Sequence, residues 1–162
     1  MADHVRSKPP PGWFVRHVAN PLLRRVIPSR VGRLVPGIAV LRYRGRRTGA
    51  SYSVPVGIYD HEDAQVVFTD SAWAVNFREG GPVEIVRRGR ATMAHGVLVT
   101  DPGYVGPAIR GALDAGTSTN MLGLAIDRGH RPTDAELAAV RSAVVIRPQG
   151  AERRVTGATP RT

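Results

Sequence analysis

The chain reads IAVLRYRGRRTGASYSVPVGIY over residues 38–59. Apolar and polar residues alternate on both sides of a short segment bounded by Gly45 and Gly49, and this period-two alternation is typical of half-buried β-strands. We therefore expect one strand over Ile38–Arg44, a second over residues 51–59, and a hairpin turn between them. The rest of the fold should build outward from this antiparallel pair.

Further short strands, separated by turns, are predicted along the rest of the chain. They cover residues 65–70, 83–88, 90–100 and 143–146. In the strand over residues 90–100, alternate positions are predicted to share the inward face, and His95 is then expected to be a hydrogen-bonded core residue. The positions on that face are Ala91, Met93, His95, Val97 and Val99.

Helices are predicted between and beside these strands. Ser71 is expected to cap a short helix, Asp101 opens a helical region that runs through Leu113, and Thr133 begins a capping-box pattern with Glu136. Short antiparallel strands with helices at the edges indicate an α+β, mainly β, closed barrel. We expect one domain over residues 12–148, with disordered ends over residues 1–11 and 149–162.

The composition limits the kinds of molecule that the protein is expected to bind. Lysine and arginine total 23 against 13 acidic residues, a net charge of +10, which attracts polyanions. An anionic cofactor and an anionic membrane both remain candidates. Nucleic acid does not, because no aromatic and basic residues interleave as a stacking platform needs.

The residues that commonly hold metals or act as nucleophiles give no pattern. The chain has no cysteine, which excludes disulfides and thiolate chemistry, and its five histidines form no zinc motif. No carboxylate pair suggests acid–base catalysis. We therefore expect no metal and assign no catalytic residue.

Residues 13–34 mix apolar and arginine positions at helical spacing, broken by Pro21 and Pro28. Such a basic amphipathic segment could pack on the barrel or lie on an anionic membrane surface. With no signal-peptide pattern and no apolar run near the roughly 20 residues that span a bilayer, we expect a cytoplasmic protein. Peripheral attachment to the inner face of the cell membrane stays open.

The segment from Gly45 to Gly49 is the most informative local feature. Its glycines can turn backbone amides toward a bound group, Arg46 and Arg47 add charge, and Thr48 adds a hydroxyl donor. Together they could bind phosphate or carboxylate. An ordinary hairpin turn with solvated arginines is the alternative. The residues alone therefore indicate an anion-binding barrel and no particular reaction.

The order of the motifs resembles a known family, the deazaflavin-dependent nitroreductase-like proteins, which are relatives of the split β-barrel flavin-binding proteins. The likeness runs from about Pro21 to Ile146. Its motifs are GRRTG with YSVPV over residues 45–56, VVFT over residues 66–69, WAVNF over residues 73–77, and the hairpin around Gly89.

This resemblance implies a split β-barrel with an N-terminal helix and flanking helices. It also implies binding of coenzyme F-420 and transfer of a hydride from the reduced cofactor to an organic acceptor such as a nitro compound, a quinone or an unsaturated ring. The cofactor then carries the difficult chemistry, while the protein binds and orients it.

The resemblance also implies a cofactor site. The loop residues would hold the phosphate and tail, backbone around Pro55 would line the ring, Thr69 would hydrogen-bond near it, and the Trp73 helix would close the pocket. The residues implied are Arg46, Arg47, Thr48, Gly49, Pro55, Val56, Gly57, Thr69, Trp73 and Asn76. The alternatives are a flavin mononucleotide enzyme and a non-enzymatic lipid- or membrane-associated barrel.

Overall fold

The computed structural model describes residues 4–8 and 37–149. The expected amphipathic segment over residues 13–34, and the tail beyond residue 149, lie outside the described residues. The strands are β1 (Val5–Ser7), β2 (Ile38–Arg44), β3 (Ser51–Gly57), β4 (Tyr59–His61), β5 (Ala64–Thr69), β6 (Gly81–Arg87), β7 (Arg90–Val99), β8 (Leu124–Ile126) and β9 (Ser142–Pro148). The helices are a 3-10 helix (Ala72–Phe77), α1 (Pro102–Asp114) and α2 (Asp134–Val140).

Among the described residues, seven antiparallel strands form one sheet in the order β3-β2-β6-β7-β9-β5-β4. The two edge strands, β3 and β4, are consecutive in the chain and are separated only by Ile58. A sheet whose opposite edges are joined by one residue must curl until those edges meet, and β3 does contact β5. The fold is therefore mainly β with a few helices, as the sequence predicted, and the sheet curls into a half-barrel.

The single strand expected over residues 51–59 is two strands. β3 ends at Gly57, where the backbone amide of Ile58 donates to the carbonyl of Gly37 at 2.9 Å, and β4 starts at Tyr59 on the opposite edge. The alternation of side chains continues through the break, since Val54, Val56 and Ile58 are all buried. The prediction missed the break because the chain passes from one edge of the sheet to the other at Ile58, and local alternation does not reveal such a passage.

The sheet has an apolar cluster on each face. The inner cluster fills the curl and is closed at one end by the 3-10 helix, which contributes Ala74 and Phe77. The outer cluster lies between the sheet and α1, α2, β1 and β8, and its central residues include Ile109 and Leu137. Asp101 caps α1, and Thr133 forms the predicted capping box with Glu136 at the start of α2.

The inward face of β7 is the opposite of the predicted one. Ala91, Met93 and His95 are exposed, whereas Ala94 and Gly96 are buried. The reason is the ring of Phe77, because a Cβ atom at Gly96 would lie 3.0 Å from Phe77 Cδ1. Small residues are needed opposite that ring, so His95 is an exposed residue and the expectation of a core histidine was wrong.

Part of the segment expected to be disordered is an ordered strand. β1 pairs with β8, with Val5 opposite Ile126, and Val5 belongs to the outer cluster. The pair is secured by the buried Arg141, whose guanidinium donates to the carbonyls of Leu122, Gly123 and Lys8. Residues 4–8 therefore depart from the disorder predicted for residues 1–11.

Candidate functional site

The loop from Gly45 to Gly49 is a tight turn held by its own backbone. The Gly49 amide donates to the Gly45 carbonyl at 2.9 Å, and the Gly45 amide donates to the Ala50 carbonyl at 2.8 Å. Gly49 has φ +65, a left-handed conformation that favours glycine. The Thr48 hydroxyl oxygen accepts from the Ala50 amide at 3.2 Å, which leaves its proton available for another group. The glycine amides therefore serve the turn and are not free donors.

The two loop arginines differ in their partners. The Arg46 amide donates to Asn76 Oδ1 at 3.0 Å, and its guanidinium lies 3.2 Å from a Glu79 carboxylate oxygen. Arg47 is exposed, and no acidic residue in the described part of the chain pairs with it. Arg47 is consequently the loop cation most open to an external anion.

Asn76 joins the loop to the 3-10 helix. Its Oδ1 accepts from Arg46, while its Nδ2 donates to the Trp73 carbonyl at 2.8 Å. Both polar ends of the side chain are thus used inside the protein. Asn76 holds the arginine loop beside the helix that carries Trp73.

Aromatic rings lie directly behind this loop. The Tyr43 ring is stacked on Tyr52 with centroids 5.5 Å apart, and it lies 6.1 Å from Trp73 and 5.1 Å from Phe77. Tyr43 and Phe77 are buried, whereas Tyr52 and Trp73 are half-buried and keep part of their surface in solvent. The loop end of the barrel therefore offers ring surface next to exposed positive charge.

Burial, and then the neighbouring Tyr52, raises the pKa of Tyr43 to about 12. The Tyr43 phenol stays protonated at neutral pH, so it adds no negative charge beside the arginines. The charge at this end therefore comes from other groups, among them the loop arginines and Glu79.

The other candidate residues lie farther along the barrel. Val56 is buried in the inner cluster, and the face of Gly57 is covered by Tyr59, whose hydroxyl would lie 2.7 Å from a Cβ there. At about 3.4 Å per residue, Gly57 is roughly 20 Å along β3 from Ser51. The structure thus brings the loop, Trp73 and Asn76 together, and places Pro55 to Gly57 toward the opposite end of β3.

Thr69 is the last residue of β5, three residues before the 3-10 helix begins at Ala72. It is buried, and its hydroxyl oxygen accepts from the Ser71 amide at 3.0 Å. Its side chain therefore stabilises the turn that leads into the Trp73 helix. The adjacent Asp70 carries the ion pair with Arg141, at 2.6 Å.

Sequence reasoning missed three residues of this end of the barrel, namely Tyr43, Tyr52 and Glu79. The sequence could have indicated the two tyrosines, because they lie at equal distances from the centre of the hairpin turn. Residues so placed are expected to be direct partners, as Tyr43 and Tyr52 are in the β2–β3 pair. Glu79 had no such signal, since only the folded chain brings it to Arg46.

Within residues 4–8 and 37–149, no group of histidine and acidic side chains is arranged to hold a metal ion. None of the helices in these ranges combines the length and apolarity needed to cross a bilayer.

Comparisons with known proteins give similarities of structure only. No family model matches the chain, and no curated protein sequence matches it. One similar solved structure is an F-420 reductase, with 14% identity and a TM-score of 0.42 over 75% of this chain and 93% of that one.

Two further structures are similar at comparable levels. An FAD- and heme-binding protein from Mycobacterium smegmatis has 19% identity and a TM-score of 0.43, over 71% of this chain and 62% of that one. A protein of unknown function from Agrobacterium tumefaciens has 16% identity and a TM-score of 0.45, over 82% of this chain and 56% of that one. At these identities and scores, no residue role or activity is carried over.

Proposed function

We propose that this protein binds a flavin-type cofactor, coenzyme F-420 in the first place, and acts as an oxidoreductase. The observation that carries the proposal is the double hydrogen bond of Asn76, which fixes the arginine loop beside the half-buried Trp73. A ligand with a planar ring and an anionic tail needs ring surface and positive charge side by side. The loop end of the barrel has both.

Each loop residue has a distinct role in this proposal. Arg47 contacts the phosphate or carboxylate of the tail first, because it has no acidic partner within the described residues. Arg46 joins after its contact with Glu79 is exchanged for the ligand. The Thr48 hydroxyl donates its remaining proton to the same anion.

The ring would lie against the exposed surface of Trp73 and Tyr52. Offset stacking on aromatic rings contributes about 0.5–1.5 kcal/mol beyond the area buried. Pro55 and Gly57 are half-buried on an edge strand, so they would line the ring only if it extends along β3 away from the loop. When bound, the cofactor supplies hydride transfer to a small organic acceptor.

A side-by-side fluorescence titration with F-420, flavin mononucleotide and flavin adenine dinucleotide tests the proposal. We expect saturable binding of F-420, weakened by Arg47→Gln and by Trp73→Leu. Arg128→Gln is the matched control, because Arg128 is also exposed and lies in the connection between β8 and α2, away from the loop.

The outcomes separate the candidate functions. Tighter binding of flavin mononucleotide than of F-420 would select the flavin alternative at the same site. Binding of none of the three cofactors would remove the oxidoreductase proposal. The remaining candidate would then be the lipid- or membrane-associated barrel, tested by salt-dependent sedimentation with anionic liposomes.

A further inference from the structure

In the part of the chain that the structure describes, the end of the barrel opposite the arginine loop is open. β2 starts at this end and runs toward the loop. Val40, near the start of β2, pairs with Val86, near the end of β6, so the turn between β6 and β7 also lies at this end. The turn between β4 and β5 reaches the same end, because Gln65 pairs with Ile146 near the end of β9. Two hairpin tips therefore flank this end of the curled sheet.

β9 stops short between the two hairpins. Its last residue, Pro148, pairs with Ala94, whereas β7 continues outward to its pair between Arg90 and Arg87. Among the described residues, a notch is left where β9 ends, and a cleft opens there. Its lining includes Asp60, Glu62, Gln65, Ile85, Arg87 and Arg90.

Strand register shows that most of these side chains point toward the barrel interior. Ile85 belongs to the inner cluster, so Arg87, two residues on, lies on the same face, as does Arg90 opposite it. Val67 is also in the inner cluster, which puts Gln65 and its partner Asp60 on that face. The cleft is therefore the mouth of the barrel, with Ile85 as its apolar floor.

The mouth has walls of opposite charge. Asp60 and Glu62 stand on the β4–β5 hairpin, and Arg87 and Arg90 stand on the β6–β7 hairpin. Among the residues that the structure describes, none of these four forms an ion pair, whereas Asp63, on the β4–β5 hairpin, pairs with Arg147 at 3.6 Å. Acidic side chains thus line the mouth on one hairpin and arginines line it on the other, and within the described residues no ion pair joins the two sets.

We propose that the barrel mouth binds a small zwitterion that carries an ammonium group and a carboxylate on a short aliphatic chain. The ammonium group binds Asp60 and Glu62, and the carboxylate binds Arg87 and Arg90, whose planar guanidinium groups suit carboxylate geometry. The aliphatic chain lies over Ile85. The mouths of β-barrels are common ligand sites. This site is separate from the loop end and does not depend on the proposed cofactor.

Amide chemical shifts of the full-length, nitrogen-15-labelled chain provide the test. The probes are glycine, 4-aminobutyrate and 6-aminohexanoate, which vary the distance between the charges, compared with hexanoate and n-hexylammonium. We expect saturable shifts at residues 60–65 and 87–92 for at least one zwitterion. That zwitterion should bind about three- to tenfold more tightly than either singly charged probe.

Two neutralising variants and two controls complete the design. Asp60→Asn and Arg90→Gln should each remove most of the preference for the zwitterion, because each deletes the partner of one ligand charge. Asp114→Asn and Arg128→Gln change the same charges at exposed positions outside the mouth and should leave the preference intact. The proposal is overturned if no zwitterion gives saturable shifts, or if hexanoate or n-hexylammonium binds as tightly.

Discussion

The guanidinium of Arg46 lies 3.2 Å from the carboxylate of Glu79. Arg46 therefore already has an anionic partner in the same chain, while Arg47 has none in the described part of the chain. An incoming phosphate must displace Glu79 to reach Arg46 but meets Arg47 directly. The two adjacent arginines, which look equivalent in the sequence, should contribute differently to binding.

Removal of the Glu79 charge should strengthen anion binding at the loop. Because Glu79 is 77% exposed, its competition with the ligand is screened by solvent, and we expect Glu79→Gln to tighten pyrophosphate binding about two- to fivefold. Calorimetric titration measures this change. The gain should vanish in the Arg46→Ala background, and Asp114→Asn, at an exposed position on α1, should produce no gain. A gain that persists without Arg46 would contradict direct competition.

Loss of Arg47 should affect cofactor affinity more than the hydride-transfer step. The phosphate and tail do not change charge during hydride transfer, so their contacts stabilise ground and transition states equally. We expect Arg47→Gln to weaken F-420 binding about tenfold, more than Arg46→Gln does, with single-turnover rates at saturating cofactor within a few-fold of the parent. Equal affinities for the parent and both variants would show that the loop is only a turn.

Asn76→Ala should loosen the loop without any change of charge. The substitution removes the acceptor of the Arg46 amide and the donor to the Trp73 carbonyl, and each hydrogen bond contributes about 1 kcal/mol. Hydrogen exchange of the Arg46 amide should accelerate, a readout specific to this bond. Ser71→Ala is the control, because the Ser71 side chain makes no capping hydrogen bond at the same helix. Unchanged exchange at Arg46 would show that Asn76 does not position the loop.

Most elements of the fold could be predicted because their signals are local. Alternation defines β2 and β3, and the capping residues Asp101 and Thr133 fix the starts of α1 and α2. β1 and β8 could not be predicted, since VRS and LAI have no periodicity and become strands only by pairing with each other. The inward face of β7 also depends on a distant group, the ring of Phe77.

In the candidate site too, local motifs could be predicted from the sequence and long-range contacts could not. The loop from Gly45 to Gly49 and the Trp73 helix are local motifs, so the sequence identified both. Other features arise only when distant segments come together in the fold. They are the hydrogen bonds that join the loop to the helix, the pairing of Arg46 with Glu79, and the charged mouth. No sequence spacing encodes those contacts, and the roles of Asn76 and Glu79 became visible only in the folded chain.

Asp70 should give the fold a pH-dependent contribution. Burial alone would raise the pKa of this carboxyl, but the hydrogen bond from Ser7 and the charge of Arg141 lower it below its ordinary value of 3.8. A lowered folded-state pKa means that the stabilisation is complete above the unfolded value and is lost as the pH falls through the folded one. Asp70→Asn should therefore lower the melting temperature at pH 7, and the difference from the parent should shrink below about pH 4. A difference that stays constant from pH 7 to pH 3 would contradict this role of the carboxylate.

Gly123→Ala should destabilise the protein through Arg141 as well as through the backbone. Gly123 has φ +67, and a Cβ atom there would clash with Arg141 Nη2, a contact that forces the buried guanidinium away from its carbonyl partners. Gly129→Ala is the matched control, because Gly129 has φ +82 and a Cβ there would meet nothing within 4 Å. Backbone strain alone should cost Gly129→Ala roughly 1–2 kcal/mol in the free energy of unfolding.

Gly123→Ala should cost at least about 2 kcal/mol more than this control, since a buried charge that loses its partners is strongly unfavourable. Urea denaturation of both variants measures the difference. Equal losses would mean that Arg141 adapts without cost. The carbonyls of Leu122 and Gly123 would then contribute little to the attachment of β1 and β8, and the ion pair with Asp70 would hold Arg141 in place.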